Sequence, residues 1–318
     1  MASIAALWLA LALDHWWGEP VARWHPVVWF GRYLGWAGRR IAPPPVAGAT
    51  RDLSRFTAGT VAWCAGAIVV MIVAWSLAAG LRHLPEWAAA LLTGIALKPL
   101  LAWRMLRDEV LAVENALGHS LDAGRAQLAR LVSRDVSKLS ASEVRESAIE
   151  SLAENLNDSL VAPVFWFVLV GLPGAAVYRF ANTADAMWGY RGEREGRVWE
   201  WAGKWAARAD DVLSWLPARL TALLLLGCSF FSCTRKGARE VRSEARKTPS
   251  PNSGWPMAAM ALSLGVRLAK PGVYALNPAG RPPSTPDTLR AVALGNRMVI
   301  AAALCATLAL GSMAWGSR

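Results

Sequence analysis

Between Arg145 and Asp158 the chain reads R-E-S-A-I-E-S-L-A-E-N-L-N-D. If this stretch is helical, Glu146, Glu150, Glu154 and Asp158 fall at successive four-residue steps on one face. Like charges at that spacing repel, so a fold gains nothing by stacking four of them without a partner. Directly afterwards comes L-V-A-P-V-F-W-F-V-L-V-G-L-P-G, which is apolar enough for a lipid bilayer. A row of carboxylates entering a membrane points to a bound cation, a proton path or a cationic substrate. The competing reading is a solvated helix face neutralised by Arg145 and its neighbours, and spacing alone does not separate the two.

The same grouping of acid, amide and arginine recurs along the chain: Arg134 with Asp135, Glu150 with Glu154, Asn155 and Asp158, Asn182 with Asp185, Arg208 with Asp210 and Asp211, and Asn252 with Ser253. Carboxylates carrying a Mg²⁺ that bridges phosphate oxygens, with arginine forks on other phosphates, would use this set of groups. As composition the set is unspecific, because polar loops of many membrane proteins carry it. There is no G-x-x-x-x-G-K-[ST], no G-x-G-x-x-G dinucleotide fingerprint and no G-x-S-x-G elbow, which leaves those nucleotide folds and nucleophilic triads unsupported. Cys64, Cys228, Cys233 and Cys305 lie in apolar segments without a C-x-x-C pair and read as small core residues.

The elements that must position these groups belong to a membrane protein. Of 318 residues, 54% are hydrophobic and 18% charged, against about 25% charged in soluble domains. Thr57 to Leu81 and Met298 to Trp315 have membrane length, and Pro217 to Cys233 reaches it with Val212 to Trp215 upstream. Residues 87–103 form another apolar segment, interrupted at Lys98-Pro99 and joined to the first span by a turn through Arg82, His83 and Pro85. Residues 160–181 read either as a plain span or as a re-entrant hairpin broken at G-L-P-G. The hairpin would bring Glu154 and Asp158 to the side of Asn182 and Asp185. The first twenty residues resemble a signal peptide but lack a basic start and a small-residue cleavage site, so they are expected to stay as a short buried or interfacial helix. Trp16, Trp17, Trp24, Trp29 and Trp36 suit an aromatic belt. His25, preceding Pro26, is expected outside a helix.

Residues 104–158 are polar with helical periodicity at Met105, Val110, Val113 and Leu117, and again from Leu121 to Val132. Asp122 is a candidate cap, and S-A-S-E at 140–143 matches a capping box. Residues 182–211 form a second polar segment, and 250–256 a turn-rich loop. The net charge is +11, with one basic cluster from Arg23 through Arg51 to Arg55 and another from Arg235 and Lys236 to Lys247. The positive-inside tendency directs these segments to the cytoplasm. The charges are dispersed among spans and no nucleic-acid-binding module is present, which argues against nucleic acid. The fold expected is all-α: a polytopic integral membrane protein of about five membrane segments, one of them re-entrant on the second reading. It forms a single domain over 1–318 with a cytoplasmic helical part at 104–158.

Several motifs stand in a fixed order: V-S-R-D at 132–135, E-S-L-A-E-N-x-x-D at 150–158, A-P at 162–163, the run from Gly171 to Arg191, A-R-A-D-D-V-L-S-W-L-P-A-R-L-T-A at 207–222 and S-P-N-S-G-W-P at 250–256. Together they resemble the CbiB/CobD family of cobalamin biosynthesis, the adenosylcobinamide-phosphate synthases. The likeness runs from an element with Asp14, Gly18, Pro20 and His25-Pro26 to Tyr274. It implies a multi-pass protein of the cell inner membrane, its active site facing the cytoplasm, that joins adenosylcobyric acid to aminopropanol O-phosphate by an ATP-dependent amide bond. It also implies ATP and Mg²⁺ as cofactors, contact with the lipid bilayer, and association with other corrinoid-assembly enzymes. On this resemblance Glu150, Glu154, Asp158 and Asp185 are the catalytic candidates, the first three also holding Mg²⁺. Arg134, Asp135, Asn155, Asn182, Tyr190, Arg208, Asp210, Asp211, Asn252 and Ser253 are the candidates for binding substrate and phosphate. Arg134 and Arg208 would grip phosphates bidentately, and the three asparagines would orient propionamide edges of the corrin or the ribose.

The chain departs from the family pattern at Leu156 and Ser159, where Thr and Gly are expected, and at Ala184, where Leu is usual. The stretch after Arg267 is also less glycine-rich than the family's. Two other classes of function compete with the ligase: a non-catalytic membrane sensor like the AmpE-type proteins, and an ion-coupled transporter. A transporter places its acids within the spans, whereas here they cluster at span edges and in polar segments. A neighbouring gene for cobyric acid synthase would favour the ligase, and one for a β-lactamase regulator the sensor.

Overall fold

Runs of Ala and Leu uninterrupted by proline favour helix, and helix is what most of the chain forms. The computed structural model describes residues 2–45, 52–229 and 235–316, and of residues 235 and 236 the backbone alone. In chain order the helices are α1 (Ala2–Trp17), α2 (Pro26–Ile41), α3 (Leu53–Leu81), α4 (Glu86–Leu97), α5 (Trp103–His119), α6 (Leu121–Leu128), α7 (Ala141–Leu156), α8 (Ala162–Val170) and α9 (Leu172–Trp188). They continue as α10 (Lys204–Leu213), α11 (Trp215–Cys228), α12 (Arg235–Ala245), α13 (Gly254–Leu264) and α14 (Thr285–Gly316). Two antiparallel hairpins are the strands among the described residues: β1 (Glu193–Arg194) with β2 (Arg197–Val198), and β3 (Leu268–Lys270) with β4 (Tyr274–Leu276).

Three stretches are long and apolar enough to cross a membrane: Leu53–Leu81, Glu86–His119 and Thr285–Gly316. The bent pair α10 and α11 makes a fourth if counted as one. The fifth expected segment, 160–181, is split. Gly171 adopts φ 73° and ψ −158° between α8 and α9, and the two helices pack side by side as a hairpin. At Gly174 a Cβ would stand 2.5 Å from the carbonyl oxygen of Trp166, so only glycine lets the two arms approach this closely. The apolar segment expected at 87–103 forms α4 and a 3₁₀ turn at Lys98–Leu100, and after a break at Leu101 and Ala102 the helix α5 starts at Trp103, next to the expected boundary at 104. Residues 230–233 of the expected Pro217–Cys233 span, Cys233 among them, lie outside the described residues, as does Arg51.

The chain divides into two compact units, Met1–Leu101 with Ala162–Leu213 and Thr307–Arg318, and Ala102–Val161 with Ser214–Ala306. In the first, α1 packs along α4, while α2, α3 and α10 surround α9. Leu34, Phe180, Trp188 and Trp199 form its core. Trp188 stacks on Trp199 and donates from Nε1 to the Leu34 carbonyl at 3.1 Å. In the second, α7 is the central helix, touched by α5, α6, α13 and β3. The capping box forms as expected, with Ser140 and Glu143 satisfying each other's backbone N–H groups. The cap of α6 is Ser120, not Asp122, which instead pairs with Arg125 at 3.0 Å. Trp16, Trp17, Trp24, Trp29 and Trp36 are exposed, as an interfacial belt requires.

Candidate functional site

Because neighbours surround α7, its acidic face is not solvated. Glu146 is fully buried and Glu150 nearly so, while Glu154 and Asp158 are half-buried. Arg145, the neutralising cation of the competing reading, points elsewhere: its Nη2 lies 2.7 Å from Glu114 Oε1, in a network with Thr285 and Thr288. A buried carboxylate costs several kcal/mol unless it is paired, and here distant arginines supply the pairs. Arg267, just before β3, donates to Glu146 at 2.9 Å. Arg134, in the loop before α7, donates to Glu150 at 3.1 Å and to the Ser147 hydroxyl.

Burial pushes both carboxyls up, against the pull of Arg267 on Glu146 and of Arg134 on Glu150. Tyr274, which opens β4, lies beside Glu150 and donates to Met257 Sδ at 3.8 Å, and its own hydroxyl is pushed far up by burial and by the charges of Glu150 and Glu154. It therefore stays a phenol and donates. Arg134 Nη1 and Glu150 Oε1 have no hydrogen-bond partner among the described residues, so each retains capacity at a site closed to water.

The ridge does not continue as α-helix to its fourth acid. Helix α7 ends at Leu156, and Asn157–Val161 form a π turn, a feature concentrated at functional sites. Asn157 donates to Asp158 at 2.7 Å and accepts from Thr221 at 3.2 Å. The Ser159 carbonyl, whose partner four residues on would be Pro163 with no N–H to donate, takes the Ala102 N–H at 3.1 Å. Asn155 donates back to the Ser151 carbonyl of its own helix at 2.9 Å. Asp135 is exposed and accepts the Ser137 N–H at 2.9 Å, a turn contact that holds its carboxyl below the ordinary range. Among the described residues no three His, Cys, Asp or Glu side chains converge to hold a metal ion.

The S-P-N-S-G loop lies in the same unit. Asn252 is buried and accepts from Arg219 at 2.9 Å, while the Ser253 N–H goes to the Ser250 hydroxyl at 3.2 Å. The Arg219 guanidinium lies between the rings of Trp215 and Trp255, 4.3 and 4.7 Å from their centroids.

The other candidates belong to the first unit. Asn182 accepts from Arg179 at 3.3 Å and reaches Asp210 at 3.5 Å, joining α9 to α10. Asp185 lies one turn before the end of α9 and Asp211 beside Asp210 on α10. Tyr190 carries the Arg194 guanidinium 3.8 Å above its ring. Arg208 is exposed. This unit also holds a network that sequence reasoning did not assemble. Lys98 Nζ lies 3.5 Å from Asp14 and 3.1 Å from Glu19, and Glu19 meets His25 Nε2 at 2.8 Å. His25 caps α2 through Nδ1, outside the helix as Pro26 requires. Arg219, Arg267 and Tyr274 were likewise missed. The tryptophans of W-L-P-A-R and S-P-N-S-G-W were a signal for the first, and nothing local marks the second.

A family model described as CobD/Cbib protein matches residues 7–299. A protein of Methanothermobacter thermautotrophicus named probable cobalamin biosynthesis protein CobD is 38% identical, with 87% of each chain covered. One of the same name from Pyrococcus abyssi is 40% identical over 92% of this chain and 91% of its own. The cobalamin biosynthesis protein CobD of Chromobacterium violaceum is 40% identical over 98% and 99%. No solved structure matches.

Proposed function

Because the chain belongs to the CobD/CbiB family of cobalamin biosynthesis, we propose that it catalyses ATP-dependent amide formation between adenosylcobyric acid and aminopropanol O-phosphate, giving adenosylcobinamide phosphate. The observation that carries this reading beyond membership is Glu150 of α7, buried and paired with Arg134 beside the Tyr274 phenol. Helix α7 is not among the membrane-length helices, which favours chemistry over ion passage.

Such a ligase transfers a phosphoryl or adenylyl group to the corrinoid carboxylate. The amine nitrogen then attacks the acyl carbon, phosphate or AMP leaves, and the nitrogen gives up a proton. Glu150, its carboxyl raised by burial toward working pH, suits the role of base for that proton, with Arg134 and Tyr274 orienting it. Arg134 is engaged with Glu150 and Ser147, so its part is to tune the base. No all-protein cage is needed for Mg²⁺, which is commonly held by one or two carboxylates plus substrate phosphates. Glu154 and Asp158, half-buried beside Glu150 in the sequence motif, would supply them. When bound, the ion neutralises phosphate charge. Asn182, Asp185, Tyr190, Arg208, Asp210 and Asp211 form the second group, for the corrinoid or the ester. On this reading the protein lies in the inner membrane with this chemistry facing the cytoplasm, where ATP is found.

Reconstitution of the purified protein in proteoliposomes with adenosylcobyric acid, ATP and either aminopropanol phosphate or ethanolamine phosphate tests the reading. Mass spectrometry should detect the amide product with one donor or both. Absence of product with both donors, from protein that binds the corrinoid, would overturn it.

A further inference from the structure

In the second unit, the loop at 249–251 and helices α11 and α12 line a solvent-open cavity of about 600 Å³. Its walls include Trp215, Arg219, Arg242, Arg246, Ser250 and Trp255, and no acidic residue lines it among the described residues. Three guanidinium groups sharing one cavity repel each other unless an anion joins them. Elsewhere in this unit Arg134, Arg145, Arg267 and Arg281 each face a carboxylate. Arg219, Arg242 and Arg246 have no ion pair among the described residues. Arg242 and Arg246 are four residues apart and so share one side of their segment.

Arg219 is set in advance. Two indole rings clamp it, and it donates to Asn252 Oδ1 at 2.9 Å and toward the Pro251 carbonyl at 3.4 Å. A guanidinium fixed in orientation loses little freedom when it binds, and its planar fork matches phosphate oxygens. The volume lies in the range of small-ligand sites.

We propose that this cavity binds the phosphate of a phosphorylated ligand. It deepens the ligase reading, and the choice of ATP or an amino-alcohol phosphate as that ligand rests on it. A phospholipid headgroup presents the same chemistry. Arg242 thereby leaves the basic run that sequence reasoning assigned to topology and becomes a ligand-binding residue.

The test uses the full-length protein in phosphatidylcholine nanodiscs, titrated calorimetrically with ATP, ethanolamine phosphate and inorganic tripolyphosphate. Arg242→Gln and Arg246→Gln remove exposed side chains and should leave folding intact. Each should weaken Kd by about tenfold, the worth of one charge-assisted hydrogen bond. Arg219→Lys should weaken it as well, because charge without the fork is insufficient. Arg239→Gln, on α12 but not in the cavity wall, should match wild type. A second arm uses nanodiscs containing phosphatidylglycerol. If no soluble phosphate binds and only lipid retention falls in Arg242→Gln and Arg246→Gln, the phosphate site stands with lipid as its source. Unaltered binding of every probe in both variants overturns the site. Amide formation measured on the same preparations keeps the two readings apart: turnover with unaltered binding in the variants sinks the cavity alone, and phosphate binding without product sinks the ligase alone.

Discussion

Glu150 is held between burial, which favours its protonated form, and Arg134 with Tyr274, which favour the carboxylate, and the balance falls upward. A carboxyl whose pKa is raised by folding binds its proton more tightly in the native state. Its stabilising contribution is complete below the ordinary glutamate value and is lost as pH rises through the raised one. Thermal unfolding measured at stepped pH should therefore show wild type losing stability over that window and Glu150→Gln losing less. Arg134→Gln removes the cation that opposes burial, so the carboxyl should rise further. In the ligase assay the acid limb of kcat/KM should then move to higher pH, and an unmoved limb would mean Glu150 is not the group that titrates. Glu150→Gln should accumulate normally in the membrane yet form no product. Substantial activity in that variant would make the buried pair purely structural.

Two local devices at the element scale set where α7 begins and how α8 meets α9. The capping box of Ser140 and Glu143 satisfies two backbone donors at the start of α7. Ser140→Ala should cost about 1 kcal/mol, read as a lowered Tm of the detergent-solubilised protein. Gly171 occupies a backbone region open essentially to glycine alone. Gly171→Ala should cost about 1 to 3 kcal/mol for that strain. Gly174→Ala adds a methyl against the Trp166 carbonyl and should loosen the hairpin as well. If Gly171→Ala melts with wild type, the hairpin does not depend on that conformation.

On the scale of the whole molecule, the proposal places the polar segments at 104–158, 182–211 and 250–256 on the cytoplasmic side. Single cysteines at Ser120, Glu193 and Ser250, in a chain with its four native cysteines replaced, report this. Glu193 is exposed and extended, whereas nearby Glu195 has φ 51° and would be strained by most replacements. All three sites should resist a membrane-impermeant maleimide in intact cells and react after permeabilisation. Reaction of any one in intact cells would overturn the shared cytoplasmic face.

Features encoded within a few residues were open to the sequence by itself. Apolar length marked the segments within Leu53–Leu81 and Thr285–Gly316. S-A-S-E announced the cap of α7, G-L-P-G the break at Gly171, and His25-Pro26 the start of α2. The ordered motifs pointed to the family that the comparisons show. The fate of the acidic ridge was not local. Spacing shows that Glu146 and Glu150 share a face, but what covers that face comes from elsewhere in the chain. Arg134 is 16 residues from Glu150, and Arg267 is 121 residues from Glu146. Arg145, the nearest cation in sequence, is drawn away by Glu114 on α5. Lys98, read only as an interruption, is the centre of a buried ion network for the same reason. Periodicity reports how one element is turned; whether a charge on it meets water, an arginine or a cavity is decided by the elements that pack against it.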